Sequence, residues 1–373
     1  MQPIKMVDLH GQYLQIKLEV DAAIQRVLND TDFIQGAAVK EFELSLSRYM
    51  GGTHVVTCGN GTDALQIAMM ALDFQPGDEV ILPVHTYVAT AEVIALLKLV
   101  PVFVDVDPLT FTLDVSKVED LITKKTVAIV PVHLYGHCAA MEPLIELAKK
   151  YNLPVIEDAA QALGADYIFS DGTRKKAGTL GIIGATSFFP SKNLGAFGDG
   201  GALFTSHPEL AEKMRMIANH GQKKKYQHDL VGVNSRLDTL QAAILNVKLG
   251  QLDRYADKRR AVADYYDSHL QVKFLKIPSR VSYSTHVFHQ YTIIARDIDR
   301  NALKFYLHGK GIPSMIYYPI PLHLQPAYLK ETQGPGTFPA AEALSNTVLS
   351  LPIHTEMDKE QLSYICDSIM SFG

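Results

Sequence analysis

Residues 187–201 read SFFPSKNLGAFGDGG and hold Lys192 between apolar residues and a glycine-rich turn. An amine in such surroundings is shielded from water, and a desolvated lysine can become a nucleophile toward a carbonyl carbon. The stretch therefore predicts a lysine that forms a Schiff base. A solvent-exposed loop lysine is the alternative, and it is the more common case for a lysine considered alone. The choice depends on what the rest of the chain supplies.

The sequence around this stretch alternates short apolar runs with helical patterns, from residue 39 to about residue 204. This alternation predicts βα units and a mainly parallel sheet. Several predicted strands end in polar residues or proline, at the edge where open α/β sheets bind ligands. The predicted strands are 54–58, 79–83, 102–105, 126–131 and 154–158, and the predicted helices between them are 63–71, 89–97 and 141–150.

The C-terminal third has a different organisation. A long helical pattern over residues 237–266 predicts a bridge out of the first domain. Beyond it, the sequence predicts a smaller mixture of elements, with strands at 290–295 and 314–318 and a helix at 300–308. We therefore predict a large α/β domain with an N-terminal helix over residues 1–250, and a small α+β domain over residues 251–373.

The composition argues against several classes of protein. A formal net charge of -5 disfavours a nucleic-acid binder, which normally carries a basic face. Cys58, Cys138 and Cys366 have none of the spacings of zinc or redox sites, so they are predicted to be reduced thiols. His286 and His289 lack the further ligands of a metal site, and we expect none. Without an apolar signal segment or membrane span, we expect a cytoplasmic protein with no membrane partner.

Other segments supply what a Schiff-base lysine needs. Asp158 ends a predicted strand, where its carboxylate can keep a pyridine nitrogen protonated, as pyridoxal phosphate requires; a helix-capping aspartate is the alternative. Residues 58–65, CGNGTDAL, predict a turn and helix start whose N–H groups suit a phosphate, with the Thr62 hydroxyl beside them. Ser187 can add a second hydroxyl. Tyr87 can lie flat on the cofactor ring, although an isolated tyrosine is more often a packing residue.

In this order, the motifs resemble the DegT/DnrJ/EryC1 family of pyridoxal-phosphate-dependent sugar aminotransferases, which have the aspartate aminotransferase fold (fold type I). The resemblance covers essentially the whole chain. It implies a large domain with a mainly parallel central sheet and a smaller C-terminal α+β domain. The matching segments are DFIQG (32–36), GNGTDAL (59–65), EDAAQ (157–161), residues 187–201, NHG (219–221), GVNSRLD (232–238), QAA (241–243), YPIPLH (318–323) and LSLP (349–352).

The resemblance implies a role for each matching residue. Lys192 corresponds to the lysine that forms the internal aldimine, and Asp158 to the partner of the pyridine nitrogen. Because Asn234 corresponds to an asparagine that reaches the phosphate of the neighbouring subunit, a homodimer with shared active sites is implied. From the residues alone, Asn234 would be a turn residue. The remaining cofactor-binding positions are Gly61, Thr62 and Ser187 at the phosphate, Gln161 near the ring hydroxyl, and Tyr87 stacked on the ring.

The resemblance also implies the reaction. Relatives with histidine at the position of Lys192 are dehydratases, so the lysine favours transamination. L-Glutamate would give its amino group to the cofactor, leaving pyridoxamine phosphate and 2-oxoglutarate, and a nucleotide-linked keto sugar would then accept it. Residues 234–238 resemble the branch that aminates C3 of UDP-linked 3-keto-N-acetylglucosaminuronate or dTDP-linked 3-keto-6-deoxyhexoses, for cell-surface polysaccharide or O-antigen synthesis. Amination at C4 and a non-catalytic, cofactor-binding regulator are the alternatives.

The nucleotide sugar requires cationic or hydrogen-bonding contacts. Lys223 begins a run of three lysines, for which a solvated loop is the alternative. Arg236 is a second candidate, because an arginine can bind a diphosphate or a carboxylate through two hydrogen bonds. Tyr318 and His323 are candidates for contact with the sugar, with packing as the alternative role.

Overall fold

The structure, a computed structural model, describes residues 3–329 and 334–372. Its helices are α1 (Leu9–Gln15), α2 (Lys17–Asp30), α3 (Ala37–Tyr49), α4 (Gly61–Ala71), α5 (Ala89–Leu96), α6 (Met141–Lys150), α7 (Pro208–Ala218), α8 (Thr239–Leu249), α9 (Leu252–His269), α10 (Arg300–Gly309), α11 (Pro339–Thr347) and α12 (Lys359–Met370). Its strands are β1 (His54–Cys58), β2 (Glu79–Pro83), β3 (Val100–Val104), β4 (Thr126–Ile129), β5 (Ile156–Asp158), β6 (Asp166–Ile168), β7 (Arg174–Lys176), β8 (Ile183–Ser187), β9 (Gly201–Thr205), β10 (Gln222–Lys224), β11 (Gln227–His228), β12 (Leu275–Lys276), β13 (Tyr291–Ala295) and β14 (Val348–Leu351).

The central sheet joins two ladders, β1-β9-β8-β5 and β3-β2-β4. Parallel bridges from Ile129 to Val155 and from Val132 to Asp158 connect β4 with β5. The strand order is therefore β3-β2-β4-β5-β8-β9-β1. Neighbouring strands are parallel except where β9 pairs with β8 and β1. This confirms the predicted α/β fold with a mainly parallel sheet.

Both faces of this sheet are covered, as its sequence requires. Successive side chains of a strand point to opposite faces, so Val80 and Leu82 of β2 pack into one apolar cluster and Ile81 into another. Helices α4 and α7 contribute to the first cluster, and α6 contributes to the second. The layers bury the strands and leave their carboxyl ends at one edge, where β5 ends at Asp158.

The C-terminal part has its own antiparallel sheet, in the order β12-β13-β14. Its apolar cluster combines Ile4 with side chains between residues 262 and 369, from α9, α10 and α12 among others. In contrast, Ala341 and Leu344 of α11 pack into a cluster of the central sheet. The predicted domain boundary at residue 250 stays a prediction.

Two predicted elements differ from the structure by more than the position of their ends. The helix predicted over residues 237–266 is two helices, because α8 ends before Gly250 and α9 begins at Leu252; glycine is a poor helix former. The strand predicted over residues 314–318 is absent from the described elements, and only an isolated bridge joins Met315 to Ser350. Among the described residues, no helix is both long and apolar enough to cross a membrane.

Candidate active site

Asp158 is the last residue of β5, and only 7% of its surface is exposed. Thr90, near the start of α5, donates a hydrogen bond from Oγ1 to Asp158 Oδ2 at 2.8 Å. The backbone N–H of Ala160 donates to Oδ1 at 3.1 Å. These two bonds orient a nearly buried carboxylate at the carboxyl edge of the sheet.

The neighbouring Glu157 has a different role, which the sequence did not indicate. His133 Nε2 lies 2.8 Å from Glu157 Oε2, and both side chains are fully buried. Since His133 Nδ1 accepts from the backbone N–H of Ala139 at 3.1 Å, Nε2 carries the proton and donates to the carboxylate. Glu157 thus anchors the turn that leads into β8, and it accepts three further backbone bonds, from Gly178, Leu180 and Gly181.

Lys192 lies in the connection between β8 and β9, residues 188–200, which we call the lysine loop. The loop folds back on itself through hydrogen bonds from Lys192 N to Phe189 O, 2.8 Å, and from Ala196 N to Phe188 O, 2.7 Å. Burial of the amine lowers the pKa of Lys192 to about 8, although the negative charge of Asp158 acts in the opposite direction. The structure thus brings the predicted lysine and aspartate into electrostatic contact and makes the lysine easier to deprotonate.

The predicted phosphate-binding residues also lie together. Gly61 and Thr62 are the first residues of α4, and Asn60 caps this helix by accepting from the backbone N–H of Asp63 at 2.8 Å. A Cβ atom on Gly61 would lie 2.7 Å from Cβ of Ser187, so this close approach requires glycine. Thr62 and Ser187 consequently lie at the positive end of one helix dipole, which favours an anion.

Ser235 is a further member of this region that sequence reasoning missed. Its buried hydroxyl accepts from the backbone N–H of Gly59 at 2.9 Å and donates to Asp63 Oδ2 at 2.5 Å. Ser235 therefore ties the segment that contains Asn234 to the turn before α4. Asn234 itself is exposed, and its Oδ1 accepts from Arg236 Nη2 at 2.6 Å. The sequence motif at residues 232–238 indicated that this segment is functional, but it did not indicate which role Ser235 has.

Three distant segments meet around Tyr318. Its ring centroid lies 6.0 Å from that of Tyr87, whose surface is 57% exposed. Gln161 Nε2 donates to Tyr318 Oη at 3.2 Å, and Gln161 Oε1 accepts from the backbone N–H of Tyr135 at 2.8 Å. Burial raises the pKa of Tyr318, so its phenol stays protonated near neutral pH. The structure thus groups Tyr87, Gln161 and Tyr318.

Lys223 and His323 have other surroundings. Lys223 is exposed on β10 and forms an ion pair with Glu212 at 2.5 Å. His323 has a fully buried side chain, with Nε2 3.1 Å from Glu342 Oε1 and its ring packed edge-on against Phe338. These are the contacts of a solvated lysine and of a packing histidine. Their predicted roles in substrate binding stay predictions.

Comparison with known proteins identifies the class to which this fold and site belong. The chain belongs to the DegT/DnrJ/EryC1/StrS aminotransferase family, whose sequence profile matches residues 14–370. This confirms the predicted family and the predicted aminotransferase class.

Individual relatives match nearly the whole chain. It is 46% identical to a pleiotropic regulatory protein of Geobacillus stearothermophilus, over 99% of this chain and 98% of the relative. It is 45% identical to the UDP-2-acetamido-2-deoxy-3-oxo-D-glucuronate aminotransferase of Pseudomonas aeruginosa, over 98% of this chain and 99% of the relative.

Solved structures agree with this assignment. The structure of S. venezuelae DesV in complex with a ketimine intermediate superposes with a TM-score of 0.95 at 39% identity, covering 100% of this chain and 99% of DesV. NtdA of Bacillus subtilis, with bound cofactor PMP, has a TM-score of 0.90 at 29% identity, covering 100% of this chain and 85% of NtdA.

Proposed function

We propose that this aminotransferase uses pyridoxal phosphate to move an amino group from L-glutamate to C3 of a keto sugar linked to a nucleoside diphosphate. One observation carries the proposal: a lysine with a lowered pKa and a buried, oriented aspartate lie together at the carboxyl edge of the sheet. Family membership and the relatives' names support transfer to a nucleotide sugar. The cell-surface polysaccharide pathway and the cytoplasmic location stay predictions.

The residues present fit the cofactor at each of its ends. Thr62 and Ser187, at the N-terminus of α4, offer hydroxyl and backbone donors to a phosphate. Asp158 offers a carboxylate to the pyridine nitrogen, and the exposed ring of Tyr87 offers a stacking surface. When bound, pyridoxal phosphate withdraws electrons from the carbon that carries the amino group, so that a proton there can be removed.

The chain's own residues then hold and move protons. Thr90 and the backbone N–H of Ala160 keep the Asp158 carboxylate oriented, because each donates a hydrogen bond to one of its oxygens. Lys192 accepts and returns the proton at the reacting carbon. Its lowered pKa leaves roughly a tenth of the amine neutral at pH 7, where an ordinary lysine would have far less.

Amination at C3 rather than C4 is the finer part of the proposal. The relative from Pseudomonas aeruginosa, whose name specifies a 3-oxo sugar, supports it. The test is a single turnover of the protein in its pyridoxamine phosphate form with matched 3-keto and 4-keto nucleotide sugars. We expect faster amination of the 3-keto sugar, and preferential amination of the 4-keto sugar would reverse the assignment.

We also propose that the active site is shared between two copies of this chain. Asn234 is exposed, and beside its segment Ile34 pairs with Asp238. Phe33 and Ile34 expose apolar surface there, which favours burial against a partner. Lys192→Ala and Asn234→Ala subunits, each inactive alone, would then restore about a quarter of wild-type activity when mixed and reassociated, because half of the dimers hold one intact site of two. Failure to restore activity in reassociated dimers would refute a shared site.

The regulator named among the relatives is the rival function. An aminotransferase and a non-catalytic cofactor-binding protein differ in their response to an amino donor. The purified protein with bound cofactor should lose its yellow absorbance band when L-glutamate is added. A yellow protein that L-glutamate leaves unchanged would favour the regulator.

A further inference from the structure

A second buried lysine, Lys248 on α8, contacts the lysine loop at Gly195 and Phe197. Only 1% of its surface is exposed, and its ammonium group donates a hydrogen bond to the carbonyl oxygen of Gly195. The Nζ atom also lies 5.4 Å from the ring centroid of Phe197, a distance suited to a cation–π contact. Among the described residues, Lys248 forms no ion pair with a carboxylate. Its two contacts with the lysine loop therefore account for its orientation.

The same face of α8 holds the loop at a second point. Gln241 lies seven residues before Lys248, which is about two helical turns. Its Oε1 accepts from the backbone N–H of Phe197 at 2.8 Å. The loop turns tightly between Pro190 and the first of these points, since a Cβ atom on Gly195 would lie 2.2 Å from Pro190 O. One helix face thus fixes the chain three and five residues beyond Lys192.

Stability of the core gives little reason for a lysine at this position. A buried charge loses its hydration, and an apolar side chain of similar size often packs at no cost in stability. Burial lowers the pKa of Lys248 to about 8, and the charge of Arg259 acts in the same direction, so the ammonium form is destabilised here although it still predominates at pH 7. Methionine would fill the same volume, but it could not bind the Gly195 carbonyl.

We propose that Lys248 is a positioning residue of the active site: by binding the Gly195 carbonyl, it holds the lysine loop so that the Lys192 amine stays in its desolvated position. The inference rests on the proposed role of Lys192. Lys248 itself touches neither the reacting atoms nor the aspartate. Its effect is transmitted through the backbone from Gly195 to Lys192, over three residues.

The test is amide hydrogen exchange of the holoenzyme, followed by mass spectrometry of the peptide that contains residues 192–197. In Lys248→Met, we expect these amides to exchange about tenfold faster or more, since a hydrogen bond from a charged donor is lost. Lys248→Arg keeps a cationic donor and should preserve most of the protection. Lys149→Met, which replaces an exposed lysine of α6, is the matched control and should exchange like the wild type.

A second readout follows the Lys192 amine itself. In the pyridoxamine phosphate form, the pH dependence of Lys192 acylation reports its pKa, and Lys248→Met should shift the midpoint above that of the wild type as the amine gains access to water. Unchanged loop exchange and an unchanged midpoint in a folded Lys248→Met protein would overturn the inference. Equal loss of protection in the arginine variant would also overturn it. Borohydride reduction of the wild type maps the cofactor-binding lysine separately, so a failure of the proposed function is distinguishable.

Discussion

The lysine loop and helix α8 each contain a lysine whose pKa burial lowers to about 8. Their surroundings differ in the group that each amine faces. Lys192 lies within the field of a nearly buried carboxylate, Asp158, at the carboxyl edge of the sheet, whereas Lys248 lies against a backbone carbonyl behind the loop. Burial alone therefore does not define a Schiff-base lysine. In our proposal, the partner groups at the edge of the sheet distinguish Lys192 from Lys248.

Substitution of Lys192 should have the largest effect on activity of the variants that test this comparison. Lys192→Ala removes the proposed proton carrier and the proposed attachment point of the cofactor, so turnover should fall at least about a thousandfold. Steady-state rates with L-glutamate and a 3-keto nucleotide sugar provide the measurement, with Lys149→Ala as the control. Multiple turnover near the wild-type rate would show that the two buried lysines had been assigned the wrong roles.

The second largest effect is expected when the charge of the Asp158 carboxylate is removed. Asp158→Asn keeps the shape of the side chain but loses the charge that would stabilise a protonated ring nitrogen, so the half-reaction with L-glutamate should slow by about a hundredfold or more. Stopped-flow decay of the yellow band measures this rate. Thr90→Val, which removes one hydrogen bond to the same carboxylate, should cost about tenfold. An Asp158→Asn enzyme no slower than Thr90→Val would contradict the role given to the charge.

The two lysine environments also show what the sequence can predict. Strands β1 and β2 have the predicted bounds, because each is a short apolar run between clear turns. Lys192 and Asp158 could be found because each lies in a recognisable local motif. Lys248 could not, since it occupies a helical pattern and its partner, Gly195, lies 53 residues away in sequence.

The other residues that the sequence missed share this property. Ser235 bonds to Gly59 across 176 residues, and His133 bonds to Glu157 only because β5 brings them together. The break between α8 and α9 was missed for another reason. Both helices present continuous apolar patterns, and a single glycine does not reliably end a helix.

The smallest effects are expected at the two cations predicted to bind the substrate, Arg236 and Lys223. Arg236 bonds only to Asn234 in the described chain, and Arg236→Ala should raise KM for the nucleotide sugar by about tenfold. Lys223 already pairs with Glu212 in solvent, so Lys223→Ala should change KM by less than about threefold. Steady-state kinetics for each substrate measure both variants. A larger rise in KM for Lys223→Ala than for Arg236→Ala would indicate that Lys223, not Arg236, binds the nucleotide sugar.

The most direct test of the central claim is to find which lysine binds the cofactor. Borohydride reduces the bond between a lysine nitrogen and the cofactor's aldehyde carbon to a stable secondary amine, and mass spectrometry of the digested protein then locates the label. We predict labelling of Lys192 and none of Lys248, although burial lowers the pKa of both amines to a similar value. Labelling of Lys248, or of neither lysine in a yellow protein, would contradict the account.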